Sequence, residues 1–555
     1  MSRLDFLWKA HDRRAAQILQ NQIHCPGDER DQAFAMDSLH TDSRNMGFCL
    51  AHLITCWAGR GSRFFHSPQV YTAIMDAAGW MCAHRRPSGC FDLSSCNFDS
   101  APDTAFTVNQ LVDAYDLLSD SEPEAEPVRE ALKDLILHAC EGIAAGGFHT
   151  PNHRWAISAS LLHGARITGH EAFAARARTY LQEGLDINQD GEFAERSTGI
   201  YNAVNDEQML RIYLATRDVQ YLNACRRNLS MMLDYIDPDG SLFTFNSTRQ
   251  DYGHRVYPAN YYGLFLTAGY LADDPSFAGI ADAIGGLCRE HGLALSGINW
   301  MLRFPELDTF GTDAPLPDLA HRHTGRIYEA SGIGRWHRGS LCVTALAHKP
   351  NFLYLKNGSL TLGFSVYGNV CDRRNFIADT LSGTEHGFSM HSCVDSWYYL
   401  PFEGDQPDTT DWWAMNNPET RKRHIQARLQ TDVSVSVEDN AVVLDLSFSG
   451  LDHVPVRLEI SVDTGCTVRS DSFVLTSNAG GQITVTQGTL EILNAEGDCF
   501  TIGPCFGAHN VLYSMGGAFQ PDPGRFTIDL TAYTPGTHTL RIETRRRFPT
   551  VIPVT

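Results

Sequence analysis

Val442-Val443-Leu444-Asp445-Leu446-Ser447-Phe448 carries apolar residues at every even-numbered position, with Asp445 and Ser447 between them. That period of two marks a strand with one buried face. Outward from it, similar runs of five to seven residues stand at 340–346, 360–366, 433–437, 456–462, 482–486 and 540–544. Turn formers such as Asp439-Asn440 and Ala479-Gly480-Gly481 separate them. Short strands punctuated in this way predict an antiparallel β-sandwich over 325–555.

Before residue 320 the period changes. Stretches at 48–57, 70–81, 106–118, 128–143, 155–167 and 209–214 space their apolar residues three and four apart, and helical stretches follow around 222–235, 261–271 and 277–293. This is the spacing of one helix face. About ten helices joined by short links close into a toroid or stack as a solenoid. No motif recurs at a fixed period, which weighs against the solenoid. The expected architecture is α+β in two domains, an N-terminal α/α toroid over 1–320 followed by the sandwich.

The 555 residues carry a net charge of -21, with 43% hydrophobic residues. Such a balance argues against nucleic acid, whose phosphates demand a basic footprint. An acidic sugar stays possible, provided a local basic pocket does the attracting. No apolar run approaches the roughly 20 residues that span a bilayer, so no membrane is expected. Residues 1–9 lack the apolar block of a secretory signal. The fifteen cysteines follow no spacing code. The reading is a reduced, cytoplasmic protein, or a secreted or periplasmic one if a signal peptide has been removed. No cofactor is expected, a structural divalent metal in the β domain staying open, and a homo-oligomer is compatible with the composition.

Two segments carry chemistry. In Thr150-Pro151-Asn152-His153-Arg154, Thr150 suits an N-cap and Pro151 the first helical position. Asn152, His153 and Arg154 then fall in the first turn, where free N–H groups and the helix dipole favour an anion. An amide, an imidazole and a guanidinium there can grip a carboxylate, and the dipole keeps His153 neutral. The plain alternative is a helix start with solvated polar groups. The second segment runs Asp190-Gly191-Glu192-Phe193-Ala194-Glu195-Arg196-Ser197-Thr198-Gly199-Ile200-Tyr201. Asp190-Gly191 is a turn pair, and Asn205 with Gln208 has the spacing of a capping pair. Tyr201 thus lies on the loop or first turn entering a helix. A tyrosine there can simply pack, or it can move a proton if Arg154 or Arg196 stands close.

A helical toroid, then a sandwich, with Asn-His at one helix entry and a tyrosine loop about fifty residues later, resembles the heparinase II/III-like and alginate-lyase-like polysaccharide lyases. The resemblance implies a carbon–oxygen lyase in which an Asn and a His neutralise a uronate carboxylate and a Tyr passes protons. The matching residues are Asn152, His153 and Tyr201, with Arg154 as a carboxylate clamp. The zinc-binding His/Asp positions of those relatives have no clear counterpart here. His386, His391 and Asp395 form only a loose cluster with weak metal spacing, so no metal is expected.

Further substrate contacts are read from composition. Asn97 and Asp99 enter a helix either as caps or as sugar-hydroxyl ligands. Glu195 flanks the tyrosine loop. His254, Arg255, Tyr257 and Tyr261 combine aromatics with a basic pair, suited to a sugar ring and its acid or equally to packing. His386, His391 and Trp397 are candidates from the sandwich. The expected reaction is β-elimination on an acidic oligosaccharide or polysaccharide, with exo action favoured. One alternative is a glycoside hydrolase pairing Asp99 or Asp103 with Glu192 or Glu195, which needs carboxylates about 5–10 Å apart. Another is a noncatalytic carbohydrate-binding protein.

Overall fold

The computed structural model describes residues 2–35, 41–119, 122–370, 373–403, 408–416 and 421–546. The chain divides into two compact units, Met1–Ile236 with Gly240–Asp318, and Asp237–Asp239 with Leu319–Thr555.

The first unit is helical. Its elements are α1 (Arg3–Gln20), α2 (Ser43–Ala58), α3 (Pro68–Ala83), α4 (Ala101–Leu117), α5 (Glu126–Ala145), α6 (Pro151–Thr168), α7 (Glu171–Leu181), α8 (Tyr201–Thr216), α9 (Val219–Asp234), α10 (Tyr262–Leu271), α11 (Ser276–Glu290) and α12 (Ile298–Arg303). A hairpin, β1 (Phe91–Leu93) with β2 (Asn97–Ser100), precedes α4. Helices α2, α4, α6, α8 and α10 each pack on the next, and α3, α5, α7, α9 and α11 each lie against the helix before them. Helix α12 touches α10, α4 and α1, and α1 returns to α2, closing the ring. This is the α/α toroid.

The inner row is buried on most faces, so polar side chains there must find each other. Asn109 on α4 donates to the Ala156 carbonyl on α6 (3.2 Å) and to Gln208 on α8 (2.9 Å). Arg211 on α8 makes a two-pronged pair with Asp113 on α4, both distances 2.6 Å, and reaches Glu207 at 2.8 Å. Asn205 and Gln208 therefore lie inside α8, not at its start. The capping pair expected from their spacing is absent, because the helix already begins at Tyr201.

The second unit is a sandwich of two sheets. One sheet holds β9 (Thr380–Thr384), β10 (Gly387–Tyr399), β11 (Arg423–Val437), β12 (Ala441–Ser449), β14 (Thr467–Arg469), β15 (Val474–Thr476), β17 (Leu490–Leu493), β18 (Asp498–Gly503) and β20 (Gly536–Arg546). The other holds β3 (His323–Tyr328), β4 (Ile333–Arg338), β5 (Leu341–Leu346), β6 (Asn351–Asn357), β7 (Leu360–Val370), β8 (Arg373–Asn375), β13 (Pro455–Val462), β16 (Gln482–Thr484) and β19 (Phe526–Tyr533). The pairing is antiparallel except between β16 and β19. Val442, Leu444, Leu446 and Phe448 of β12 point into one core with Leu458, Ile460 and Leu530 of the facing sheet.

The short piece 237–239 completes this second unit. Arg335, fully buried on β4, bonds Asp237 at 2.7 Å and Thr344 at 2.8 Å. Lys356 on β6 reaches Asp237 at 3.2 Å and Asp239 at 2.8 Å. No helix among the described residues is long and apolar enough to cross a membrane.

Candidate active site

Helix α6 starts where the sequence predicts, with Thr150 as N-cap and Pro151 in the first turn, yet the Thr150 hydroxyl does not cap the helix backbone. A carboxylate from another segment does so. Glu195 accepts from the Asn152 backbone N–H at 3.2 Å and from its side-chain amide at 2.8 Å to both oxygens. The same amide donates to Thr150 Oγ1 at 3.1 Å. An acid beside free N–H groups at a helix start is electrostatically favoured.

Glu195 in turn faces Arg249, whose Nε stands 3.6 Å from Oε1. The Arg249 guanidinium lies 4.8 Å over the ring of Tyr201. A cation on an aromatic face is attracted by the ring quadrupole. Tyr201 is the first residue of α8 and is half-buried. Its N–H donates to Ser197 Oγ at 3.1 Å. The loop before it is tied by Asp251, which accepts from Ser197 Oγ, Gly199 N–H and Ser247 Oγ at 2.8, 2.8 and 2.5 Å. The approach is close, since a Cβ at Gly199 would meet Asp251 Oδ2 at 3.0 Å.

His153 is half-buried beside His149, with ring centroids 4.6 Å apart at a right angle, and it meets Phe106 edge-on at 6.0 Å. Burial lowers its pKa to about 4. His149 and Arg249 push in the same direction, and Asp103 opposes them. The imidazole is therefore neutral near pH 7. His153 feels Arg249 and Arg249 covers Tyr201, so the entries of α6 and α8 converge on one guanidinium.

Several sequence-based assignments change. Asn152 is fully buried and its side-chain N–H groups are taken by Glu195 and Thr150, so in this structure they hold Glu195 in place. Arg154 is also buried. It holds the Gly184 carbonyl at 2.9 Å and Glu183 at 2.9 Å, and lies 4.1 Å over Trp155. It anchors the loop after α7. Tyr261 is buried and donates to the Thr198 carbonyl at 2.6 Å, which makes it a brace for the tyrosine loop. Arg196 faces Glu192 at 3.5 Å, so the cation beside Tyr201 is Arg249 instead.

Asn97 donates to Asp103 at 2.9 Å, and Asp103 takes Ser100 Oγ at 2.6 Å, a capping cluster at the start of α4. Asp99 is exposed at a positive φ and accepts from Ser88. His254 and Arg255 are exposed, and the Tyr257 ring meets that of His291 at a tilt, centroids 4.3 Å apart. In the second unit, His386 lies beside Glu385 at 3.8 Å, His391 bonds Asp432 at 2.7 Å, and Asp395 bonds Arg428 at 2.6 Å. Three different partners thus claim the loose His/Asp cluster. Trp397 carries Arg423 at 4.3 Å over its ring.

Sequence reasoning missed Arg249 and His149. Arg249 lies two residues before the aromatic and basic stretch that starts at Asp251, and His149 directly precedes the N-cap. Attention to basic residues flanking both segments would have found them.

Among solved structures, the chain is similar to a Paenibacillus xanthan lyase (12% identity over 98% of this chain, TM-score 0.58), a heparinase III (11% over 97%, TM-score 0.55) and a chondroitinase AC lyase (10% over 98%, TM-score 0.52). It spans 57% of the xanthan lyase, 84% of the heparinase III and 81% of the chondroitinase. At such identities the likeness is one of fold. No protein-family model and no curated protein matches the chain.

Proposed function

We propose that the protein is a polysaccharide lyase that cleaves a uronate-containing glycan by β-elimination. The observation that carries this reading is the chain of contacts Asn152–Glu195–Arg249–Tyr201, which joins the starts of α6 and α8 around a half-buried phenol. Arg249, its side chain 30% exposed, supplies positive charge for the substrate carboxylate, and exposed His149 stands beside His153. Neutralising that carboxylate makes the proton at C5 easier to remove and stabilises the enolate-like charge that follows.

Neutral His153 accepts the C5 proton. A carboxylate bound next to it raises the basicity of the imidazole, since an opposite charge favours the protonated form. Tyr201 then gives its proton to the departing glycosidic oxygen, leaving a 4,5-unsaturated sugar. Each transfer contributes about 10²–10⁴-fold. Glu195 keeps Arg249 in place and Asn152 keeps Glu195 in place. The hydrolase alternative, Asp99 or Asp103 with Glu192 or Glu195, is disfavoured because both glutamates are buried among internal donors, as is Asp103.

The test is a panel of acidic glycans followed by the conjugated-enoate absorbance of the product. An absorbing unsaturated product formed by the wild type and lost in Tyr201→Phe supports elimination. Reducing-end release without that chromophore would point to hydrolysis instead.

A further inference from the structure

The site above leaves unused a second cluster of chemistry-bearing side chains in the helical unit. His52 and Cys56 are four residues apart on α2 and so share one face of that helix. His11 on α1 lies against them, and one ligand atom from each of the three lies within 4.8 Å of the others. From this arrangement we infer a zinc site with His11, His52 and Cys56 as its ligands.

Three details support it. His52 Nε2 contacts the His11 carbonyl at 2.9 Å. A ring N–H donated to a backbone carbonyl is the usual support of a metal-binding imidazole and leaves Nδ1 as the ligand. His11 Nε2 is buried with no hydrogen-bond partner, which is costly for a ring nitrogen unless something else takes its lone pair or proton. The donor set, two imidazoles and a thiolate, matches the preference of zinc for nitrogen and sulfur.

Forming the zinc–sulfur bond breaks the Cys56 S–H bond, and the proton leaves to water. The rings stack with centroids 3.6 Å apart, so capture turns the His11 ring about χ2, a soft torsion for histidine, while His52 keeps its bond to the His11 carbonyl. Three protein ligands leave one tetrahedral position. A cavity of about 480 Å³, lined by His11 and His52 together with Arg14 and Glu207, adjoins the cluster and can supply a water or a small anion there.

The test uses the full chain stripped of metal and titrated with Co²⁺ and then Zn²⁺. The expected result is one equivalent of Co²⁺ with a thiolate-to-cobalt charge-transfer band and tetrahedral visible bands, displaced by Zn²⁺. Affinity should rise tenfold per pH unit, as the release of one proton requires. Cys56→Ser should lose the charge-transfer band, and His52→Gln should weaken binding at least tenfold. X-ray absorption on the zinc-loaded wild type needs no variant to fold. It should read one sulfur at about 2.3 Å and nitrogens at about 2.0–2.1 Å. Zinc uptake without a sulfur scatterer, a charge-transfer band retained in Cys56→Ser, or no stoichiometric uptake would each overturn the assignment.

Discussion

Glu195 receives both the backbone N–H and the side-chain amide of Asn152, so the anion seated at the start of α6 belongs to the protein itself. The helix terminus that reads as a substrate clamp is thereby turned into a mount for Arg249. Glu195→Gln sets an amide against the Asn152 amide and leaves a buried donor without an acceptor. A destabilisation of about 1–3 kcal/mol is expected, measured by urea denaturation. A double-mutant cycle with Asn152→Ala should show coupling between the two positions.

Removing the phenol should separate chemistry from folding. Tyr201→Phe keeps the ring under Arg249 and loses only the hydroxyl. Elimination should fall about 10²–10⁴-fold with the thermal midpoint little changed, read by product absorbance and by calorimetry.

Arg249→Met should lower kcat by about 10²-fold, the size seen when one charge-stabilising donor is removed. It also leaves Glu195 with one fewer cation. Steady-state kinetics on an acidic glycan would check this, and the same variant should lose more on an acidic glycan than on a methyl-esterified one.

Asp251→Asn places an amide where Ser197 Oγ, Gly199 N–H and Ser247 Oγ now donate to a carboxylate. A loss of about 1–3 kcal/mol is expected. Because the loop carries Tyr201, kcat should drop while KM changes less.

Acid should weaken the helical unit in a defined window. His163 is buried against the Arg211 carbonyl at 3.0 Å, and burial lowers its pKa to about 3. The folded form therefore binds fewer protons than the unfolded chain between about 3 and the ordinary value of 6.5. Stability is complete above 6.5 and is lost as the pH falls below it, by up to about 1.4 kcal/mol per pH unit for this residue. Thermal midpoints between pH 7 and pH 4.5 should fall, and His163→Gln should flatten that fall.

Much of the fold was legible in the sequence. Val442 to Phe448 alternates in the chain and alternates in burial. The inner helices were legible for their apolar spacing, although α8 began eight residues before its apolar run because its first turns bury Asn202, Asn205 and Asp206. Local reading placed Tyr201 at a helix entry, since a turn pair and a glycine precede it. It could not tell which side chains face inward. Arg154 and Tyr261 have the composition of ligand contacts, yet both are directed to backbone carbonyls within the helical unit. Arg249 stayed hidden because its partners lie 54 and 48 positions away in the chain, at Glu195 and Tyr201.

The tripeptide Asp237–Asp239 belongs to the β unit although more than seventy helical-unit residues follow it. A polypeptide started at residue 319 would contain Arg335 and Lys356 without Asp237 and Asp239. Removing one partner of a buried ion pair costs about 3–5 kcal/mol. The sandwich is therefore not a cassette that a single gene junction can exchange, and any recombination that preserves it must carry this distant acidic clip along.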